Sequence, residues 1–335
     1  MSTPTQADAI ARGWSDYWLI LALVTLAVSG PAGGQTADRF YRLGALMRNA
    51  GAVERLRALM LRALARQGFV EGRNLVLEVR TGAAAELPAL AEELLATKPD
   101  AVLANGSVAI AAVREHSNTV PIVGAAIGGD PVAAGFAVSL ARPGGNVTGS
   151  LMLAPELDAK RLELLHQAVP TARRIAALGT SPMAARENFA QVGEAAHALG
   201  VELSAFYAEV PADYPAAFAA MRSTGAQALA ILSAPDFFTN ASTLAALALE
   251  AELPTACEWR EMAEQGCLLG YGPNLAEVYG RTADYVVRIF CGAAPGDLPI
   301  EQPTHYEFAV NLKTAKALNL AIPPAILARA DDVIE

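Results

Sequence analysis

Residues 141–157 read ARPGGNVTGSLMLAPEL and lie close to the middle of the 335-residue chain. The Pro-Gly-Gly turn at 143–145 is typical of a helix end, residues 147–151 can run extended, and Pro-Glu at 155–156 is typical of a helix start. The stretch therefore predicts a segment in which the chain leaves one lobe and begins another. An ordinary long surface turn within one large sheet is the alternative.

On both sides of this stretch, apolar strands alternate with amphipathic helices. The predicted strands cover residues 41–47, 75–79, 101–104, 121–127, 174–178, 202–207, 228–232, 255–258, 268–271 and 308–311. The predicted helices cover residues 53–67, 87–97, 108–115, 131–140, 156–168, 184–199, 214–223, 241–252, 275–290 and 312–318. Strands that are apolar throughout and separated by helices form parallel sheets covered on both faces. The sequence thus predicts an α/β protein with two doubly wound parallel-sheet lobes.

The composition is that of a globular protein with a large core, because 53% of the residues are hydrophobic and 18% are charged. The net charge is −9, and Lys and Arg form no stripe, so we expect no nucleic-acid partner. Cys257, Cys267 and Cys291 lack the spacing of metal ligands, and we expect neither a metal nor a cofactor. Cys257 and Cys267 could form a disulfide in an oxidising compartment, but two buried unpaired thiols are the favoured interpretation.

The N-terminus has the features of a secretory signal peptide. Arg12 precedes the uncharged apolar run WLILALVTLAV at 18–28, and the small residues SGPAGGQTA follow at 29–37. The run is shorter than the roughly 20 residues that a membrane-spanning helix needs. A buried core helix is the alternative. We therefore predict that residues 1–37 are a signal peptide and leader and that the mature protein is periplasmic.

The sequence offers no positive case for an enzyme. The four histidines are scattered, without partners at metal or relay spacing. The chain has no Gly-x-Ser-x-Gly elbow, no Walker loop and no Gly-x-Gly-x-x-Gly after its first strand. We therefore expect a protein that is not an enzyme.

Small polar residues instead recur in the turns that lead from strand to helix. In open α/β sheets, ligands bind at the carboxyl ends of the strands, where helix N-termini present free N–H groups. Each turn alone is explained by helix capping, but recurrence in both lobes favours a ligand site. Two aromatic residues are candidates for a wall of this site, and one arginine could meet an acidic group. The candidate ligand-binding residues are Arg48, Asn105, Gly106, Ser107, Asp130, Thr180, Ser181, Ser233, Asp236, Glu258, Trp259 and Tyr271.

Four stretches together resemble a known family. They are GFVEGRNLVLEVR at 68–80, DPVAAGFAVSLARPGGNVTGSLMLAPELDAKRLELLHQAVP at 130–170, LLGYGPNLAEVYGRTADYV at 268–286, and the C-terminal GDLPIEQPTHYEFAVNLKTAKALNLAIPPAILARADDVIE from 296. In this order they resemble the bacterial ABC-transporter substrate-binding proteins of the tryptophan/tyrosine-binding type, which have the type 1 periplasmic-binding fold. ARPGGNVTG followed by ELDAKRLELL, with NLKTAKAL near the end, is the most specific combination.

The resemblance implies two lobes joined by three crossing strands, near Ser150, Leu268 and Tyr306. We accordingly expect residues 38–150 and 269–304 in the first lobe and residues 151–268 and 305–335 in the second. It also implies cleft positions, namely Asn105, Ser107, Asp130, Thr180, Asp236, Glu258 and Trp259.

The resemblance further implies a small-molecule solute in the cleft and delivery to the permease and ATPase of an ABC importer, with membrane contact only through the permease. Our hypothesis is an extracytoplasmic receptor for a small polar or aromatic carboxylate or an amino-acid-like ligand. A ligand-sensing module of a regulatory system and an enzyme on the same scaffold are the alternatives.

Overall fold

The computed structural model of the protein describes residues 39–152, 154–183 and 185–335. The predicted signal peptide and leader at 1–37 therefore lie outside the described residues. Residues Phe40–Glu335 form one compact unit. Within the described ranges, no helix combines the length and the apolar character needed to cross a membrane.

The first lobe is built on a five-stranded sheet, as expected from the apolar strands. Its strands are β1 (Tyr41–Met47), β2 (Leu75–Thr81), β3 (Ala101–Asn105), β4 (Ile122–Gly128) and β5 (Val147–Met152). Their order is β2-β1-β3-β4-β5, and every pair is parallel. The helices and helical turns between them are Ala50–Arg55, the π-helical turn Leu56–Met60, Leu61–Arg66, the 3₁₀ turn Ala84–Glu86, Leu87–Ala96 and Ser107–His116. Buried apolar side chains cover both faces of this sheet, which explains why its strands read as continuous apolar runs.

The second lobe repeats this arrangement and then extends it. Its strands are β6 (Arg174–Gly179), β7 (Glu202–Tyr207), β8 (Ala228–Ile231), β9 (Thr255–Cys257), β10 (Leu269–Pro273), β11 (Tyr306–Asn311) and β12 (Asp332–Ile334). They lie in the order β12-β11-β10-β9-β8-β6-β7, and β10–β11 is the antiparallel pair. The helices are Ala154–Ala168, Arg186–Leu199, Tyr214–Ser223, Pro235–Thr239, Ala241–Glu250, Arg260–Glu264, Leu312–Ala317 and Pro324–Leu327, with a 3₁₀ turn at Pro211–Asp213.

Within residues 39–335 as the structure describes them, three segments connect the lobes. The first lies between β5 and the helix that begins at Ala154, and the third lies between Glu301, which pairs with Ser150, and β11. The second follows β10, after which the helix Leu275–Phe290 packs against the first sheet, and the 3₁₀ turn Pro295–Asp297 lies beyond it. The expected second crossing near Leu268 therefore falls one strand too early. Residues 269–273, expected in the first lobe, pair with β9 and β11 in the second sheet. Residues 151–152, expected in the second lobe, pair with β4 in the first sheet.

The prediction of a helix at residues 131–140 is wrong. This segment makes a single turn, in which the N–H groups of Ala134 and Phe136 donate to the carbonyls of Asp130 and Pro131. Gly135 then adopts φ 71°, a left-handed conformation that ends a helix. The apolar pattern was helical, but the glycine stops propagation after one turn.

The favoured interpretation of two unpaired thiols is also wrong, because Cys257 and Cys267 form a disulfide. Their Cα atoms lie 6.4 Å apart, since Cys257 ends β9 and Cys267 lies just before the neighbouring β10. Cys291 is free and exposed.

Candidate functional site

A cavity of about 350 Å³ lies where the carboxyl ends of the two sheets face each other. Parallel strands bring their carboxyl ends to one edge, so the turns that follow β1, β3, β4, β6, β8 and β9 meet there. Both lobes line this cavity, and so does the helix that starts at Leu275. The cavity is thus a cleft between the lobes, of a size typical for small-molecule pockets.

Nine of the twelve predicted residues line the cavity. They are Arg48, Asn105, Gly106, Ser107, Thr180, Ser233, Asp236, Glu258 and Trp259. The strand-to-helix turns therefore predicted which residues lie at the cavity, because the position of each turn residue is set by the strand that precedes it.

Asp130, Ser181 and Tyr271 are not among the residues that line the cavity. Asp130 is exposed, and its side chain accepts a hydrogen bond from the N–H of Val132 at 2.8 Å. It therefore stabilises the turn in which it lies. The carbonyl of Ser181 accepts a bond within its own loop. The ring of Tyr271 stacks on Tyr306 at a centroid distance of 6.0 Å, because β10 is an inner strand of the second sheet.

The first-lobe wall is formed by the N-terminus of the helix Ser107–His116 and the strand beside it. Ser107 does not cap its helix, because its hydroxyl donates to the carbonyl of Gly128 at 2.6 Å. Gly106 precedes the helix with φ 81°, and Gly106, Ser107 and Val108 all line the cavity at the helix N-terminus. The buried Oδ1 of Asn105 has no hydrogen-bond partner, and Ala126 has a strained φ of 56°. Unpaired polar atoms and strain of this kind cluster at ligand sites.

A buried ion pair supports the second-lobe wall from behind. Asp158 and Arg161 lie one helical turn apart and are each 1% exposed in their side chains. Asp158 accepts the N–H and hydroxyl of Ser233 and the side-chain amide of Asn188. Arg161 donates from Nε to the carbonyl of Tyr271 at 2.6 Å and from Nη2 to the carbonyl of Glu258 at 3.3 Å. The pair thus joins residues just after β8 and β9 to the middle of β10 and to the helix Arg186–Leu199.

Glu258 is a buried carboxyl at the cavity wall, 6% exposed. Burial raises its pKa to about 7, because desolvation disfavours the charged form. The Arg161 guanidinium lowers the pKa and Asp158 raises it, while hydrogen bonding with Trp259 and Ser233 lowers it. Glu258 therefore changes charge near neutral pH.

Aromatic rings and a guanidinium form another part of the wall. Phe238 and Trp259 of the second lobe lie 5.7 Å apart between ring centroids. The guanidinium of Arg55, from the first lobe, sits 4.1 Å above the centre of Phe238. Tyr279 also lines the cavity, and burial raises its pKa while Arg55 lowers it. The cavity therefore offers apolar faces beside charged groups.

Contacts between the lobes close one side of the cavity. Arg48 Nη2 pairs with Asp236 Oδ2 at 3.1 Å, and Asn49 Nδ2 donates to Asp236 Oδ1 at 3.1 Å. The hydroxyl of Thr239 donates to Asn49 Oδ1 at 2.9 Å. We call Arg48, Asn49, Asp236 and Thr239 the inter-lobe latch. Arg48 and Asp236 thus bind each other in this arrangement, although both were expected to meet a ligand.

Sequence reasoning missed several cavity residues and their support. These residues lie within helices, away from the strand ends at which the sequence predicts ligand contacts; they are Arg55, Asn188, Phe238 and Tyr279. One signal for the buried pair was present, because Asp158 and Arg161 fall on the apolar stripe that contains Leu157, Leu162 and Leu165. Charged residues on such a stripe are rarely buried unless paired. Among the described residues, no group of three or more His, Cys, Asp or Glu side chains is placed to hold a metal ion.

Comparisons with known proteins place the chain in a family and find a related binding protein. The family model described as "ABC transporter substrate binding protein" matches residues 51–334. The chain is 22% identical over 267 residues to the tyrosine-binding protein of Clostridioides difficile, covering 78% of this chain and 75% of that protein. These relatives are binding proteins, which confirms the expectation of a protein that is not an enzyme.

Solved structures share the fold. A conserved domain protein from Vibrio cholerae matches with a TM-score of 0.80 at 25% identity, covering 88% of this chain and all of that one. An ABC domain from Streptococcus pneumonia in complex with L-Trp matches with a TM-score of 0.77 at 21% identity, again over 88% and 100% of the two chains. The expected fold, two parallel-sheet lobes of the type 1 periplasmic-binding class, is confirmed.

Proposed function

The chain belongs to the ABC transporter substrate-binding protein family, and on this premise we propose that it is the extracytoplasmic receptor of an importer for an aromatic amino acid. The observation that carries the proposal is the inter-lobe cavity, in which Phe238, Trp259 and Tyr279 lie beside a helix N-terminus and a buried carboxyl. The tyrosine-binding protein and the L-Trp complex among its relatives support this ligand class.

The ligand's two ends find complementary chemistry in the cavity. Its carboxylate faces the free N–H groups at the start of the helix Ser107–His116, where the helix dipole favours negative charge. The side-chain amide of Asn105 adds a polar group at the same wall. The aromatic ring of the ligand packs against Phe238, Trp259 and Tyr279, which exclude water from it. The two lobes close on the ligand, and the closed form is presented to the permease and ATPase.

The receptor works outside the cytoplasm, delivered by a signal peptide within residues 1–37. The Cys257–Cys267 disulfide supports this location, because structural disulfides persist in oxidising compartments. The N-terminal sequence of the protein recovered from periplasmic extracts tests it. Recovery of the uncleaved chain from the cytoplasm alone would contradict it.

Titration calorimetry of the purified protein against tryptophan, tyrosine, phenylalanine, leucine and glutamate tests the ligand class. We expect the three aromatic amino acids to bind and the other two to bind at least tenfold more weakly. We expect Phe238→Leu to weaken tryptophan binding by about three- to tenfold, the value of one aromatic contact of 0.5–1.5 kcal/mol. Tyr207→Leu, a change at an exposed ring outside the cavity, is the matched control. Binding of leucine as tight as that of the aromatic amino acids, or no binding of any aromatic amino acid, would contradict the proposal.

A further inference from the structure

The buried group formed by Glu258, Asp158 and Arg161 contains two carboxyl groups and one guanidinium. Its negative charges outnumber its positive charge when both carboxyl groups are ionised. All three are nearly inaccessible, at 6%, 1% and 1% exposure. The guanidinium of Arg161 is committed to Asp158, to the hydroxyl of Ser233 and to two main-chain carbonyls, one of them that of Glu258 itself. One positive charge therefore already matches one carboxylate, and an ionised Glu258 adds a negative charge without a partner of its own.

The other charged groups around the cavity are engaged elsewhere. Arg48 pairs with Asp236 in the inter-lobe latch, and Arg55 sits over Phe238. Glu187 is exposed at the rim, and Asp158 approaches from behind. The uncharged neighbours that face Glu258 are Ser233 and Trp259. Without a ligand, the buried group is neutral when Glu258 carries a proton, in agreement with the direction in which burial shifts its pKa.

We propose that Glu258 selects ligands that carry an ammonium group and that binding of such a ligand expels the proton of Glu258 to solvent. This inference rests on the proposed function and specifies how the site reads one end of its ligand. The neutral carboxyl loses its proton, and the resulting carboxylate pairs with the incoming ammonium, so the buried group stays neutral in both states. A ligand without the amine leaves Glu258 protonated and forgoes the charge-assisted contact.

The sign of the pH dependence follows from this exchange. Below about pH 7, the pKa of free Glu258, binding must displace a proton, so affinity rises with pH. The affinity for tryptophan increases by roughly tenfold per pH unit where free Glu258 is protonated and bound Glu258 is ionised. Above the pKa of free Glu258, this dependence levels off.

Calorimetry of tryptophan binding in buffers of different ionisation enthalpy counts the protons released. We expect about one proton released per ligand at pH 6 and a value near zero at pH 8.5. Indole-3-propionate, which lacks the amine, should bind more weakly and release none. Binding of tryptophan at pH 6 without proton release overturns this inference and leaves the proposed function standing. Absence of aromatic amino-acid binding at every pH overturns both.

Two variants separate Glu258 from other acidic groups. Glu258→Gln should release no proton at pH 6 and lose most of the preference for tryptophan over indole-3-propionate. Glu187→Gln, which removes an exposed acidic group of the same cavity, should keep both the proton release and the preference. Equal proton release by Glu258→Gln and the unmodified protein overturns the assignment. The proton count of the unmodified protein decides the matter even if Glu258→Gln fails to fold.

Discussion

At the scale of single residues, Asp158 and Arg161 connect residues that line the cavity to the strands and helices of the second lobe. Burying two charges is costly, and it is tolerated here because every oxygen of Asp158 and every side-chain nitrogen of Arg161 has a partner. Those partners include Asn188, Ser233 and the main chain of Glu258, which line the cavity. The pair thus gives these cavity groups a rigid support that the turns alone would not provide.

Glycine has a similar local importance where β4 and β5 approach each other. Gly124 and Gly149 are paired across the two strands. A Cβ atom on Gly149 would lie 2.1 Å from the carbonyl oxygen of Gly124, and Gly149 has φ 140°. Both the close approach and the backbone conformation exclude a larger residue. Because β5 leads directly into the first crossing, this contact helps to set the position of the hinge.

We therefore expect Gly149→Ala to lower the free energy of unfolding by about 2 kcal/mol or more, the range of backbone strain and overpacking. Gly193→Ala is the control, because Gly193 lies within the helix Arg186–Leu199 and its Cβ would meet no atom within 4 Å. That change should raise the free energy of unfolding by about 0.5–1 kcal/mol. Urea titrations measure both, and equal midpoints for Gly149→Ala and the unmodified protein would refute the argument.

At the scale of elements, the disulfide holds the turn that carries Glu258 and Trp259. Cys257 lies immediately before these two residues, and Cys267 follows the short helix Arg260–Glu264. The bond ties both ends of this segment to neighbouring strands of the second sheet. Both cysteines are fully buried, so the bond belongs to the core rather than to the surface.

Replacing both cysteines, Cys257→Ala with Cys267→Ala, should lower the free energy of unfolding by about 3 kcal/mol, the loop-closure value for a loop of this length. The affinity for tryptophan should fall as well, because the segment becomes less ordered before binding. Cys291→Ala, at the exposed free thiol, should change neither quantity. Denaturant unfolding and calorimetry provide the measurements. Unchanged stability in the double variant would show that packing alone holds the turn.

At the scale of the whole molecule, the inter-lobe latch joins the two lobes beside the cavity through a few contacts. Arg48 and Asn49 follow β1 of the first lobe, whereas Asp236 and Thr239 belong to a short helix of the second. Gly51 lies against Thr239, and a Cβ on Gly51 would be 2.7 Å from the threonine hydroxyl oxygen. The lobes therefore approach so closely that a methyl group would separate them.

Gly51→Ala should oppose the close approach of the two lobes, because the added methyl group meets the side chain of Thr239. Alanine favours the helix that contains residue 51, so the first lobe itself should not be destabilised. In the described arrangement the added methyl overlaps Thr239, and we expect the affinity for tryptophan to fall about tenfold, for an overpacking cost of about 1–3 kcal/mol. Calorimetry measures the affinity, and small-angle scattering at saturating tryptophan measures compactness.

The second-site variant Thr239→Ala removes both overlapping atoms and supplies the control. The double variant with Gly51→Ala should recover most of the lost affinity, although Thr239→Ala alone loses one hydrogen bond between the lobes. If Gly51→Ala binds tryptophan as tightly as the unmodified protein, closure does not depend on this contact.

The sequence by itself determined the architecture. Alternation of apolar strands with amphipathic helices predicted two parallel-sheet lobes, and the bounds of the helices Tyr214–Ser223 and Leu275–Phe290 agree with the prediction. These features are local, because they depend on periodicity and turn residues within a short window. Nine cavity residues could be predicted for the same reason, since each lies at the end of a strand, one or two positions after it, or at the start of a helix.

Only the tertiary structure decided which residues face each other. The pairing of residues 269–273 with the second sheet, the disulfide between Cys257 and Cys267, and the approach of Phe238 and Tyr279 to one cavity depend on how distant segments pack. The raised pKa of Glu258 is of the same kind, because it follows from burial and from Asp158, about 100 residues earlier in the chain. Solvent exclusion and charge balance are properties of the assembled fold, and no local pattern of residues encodes them.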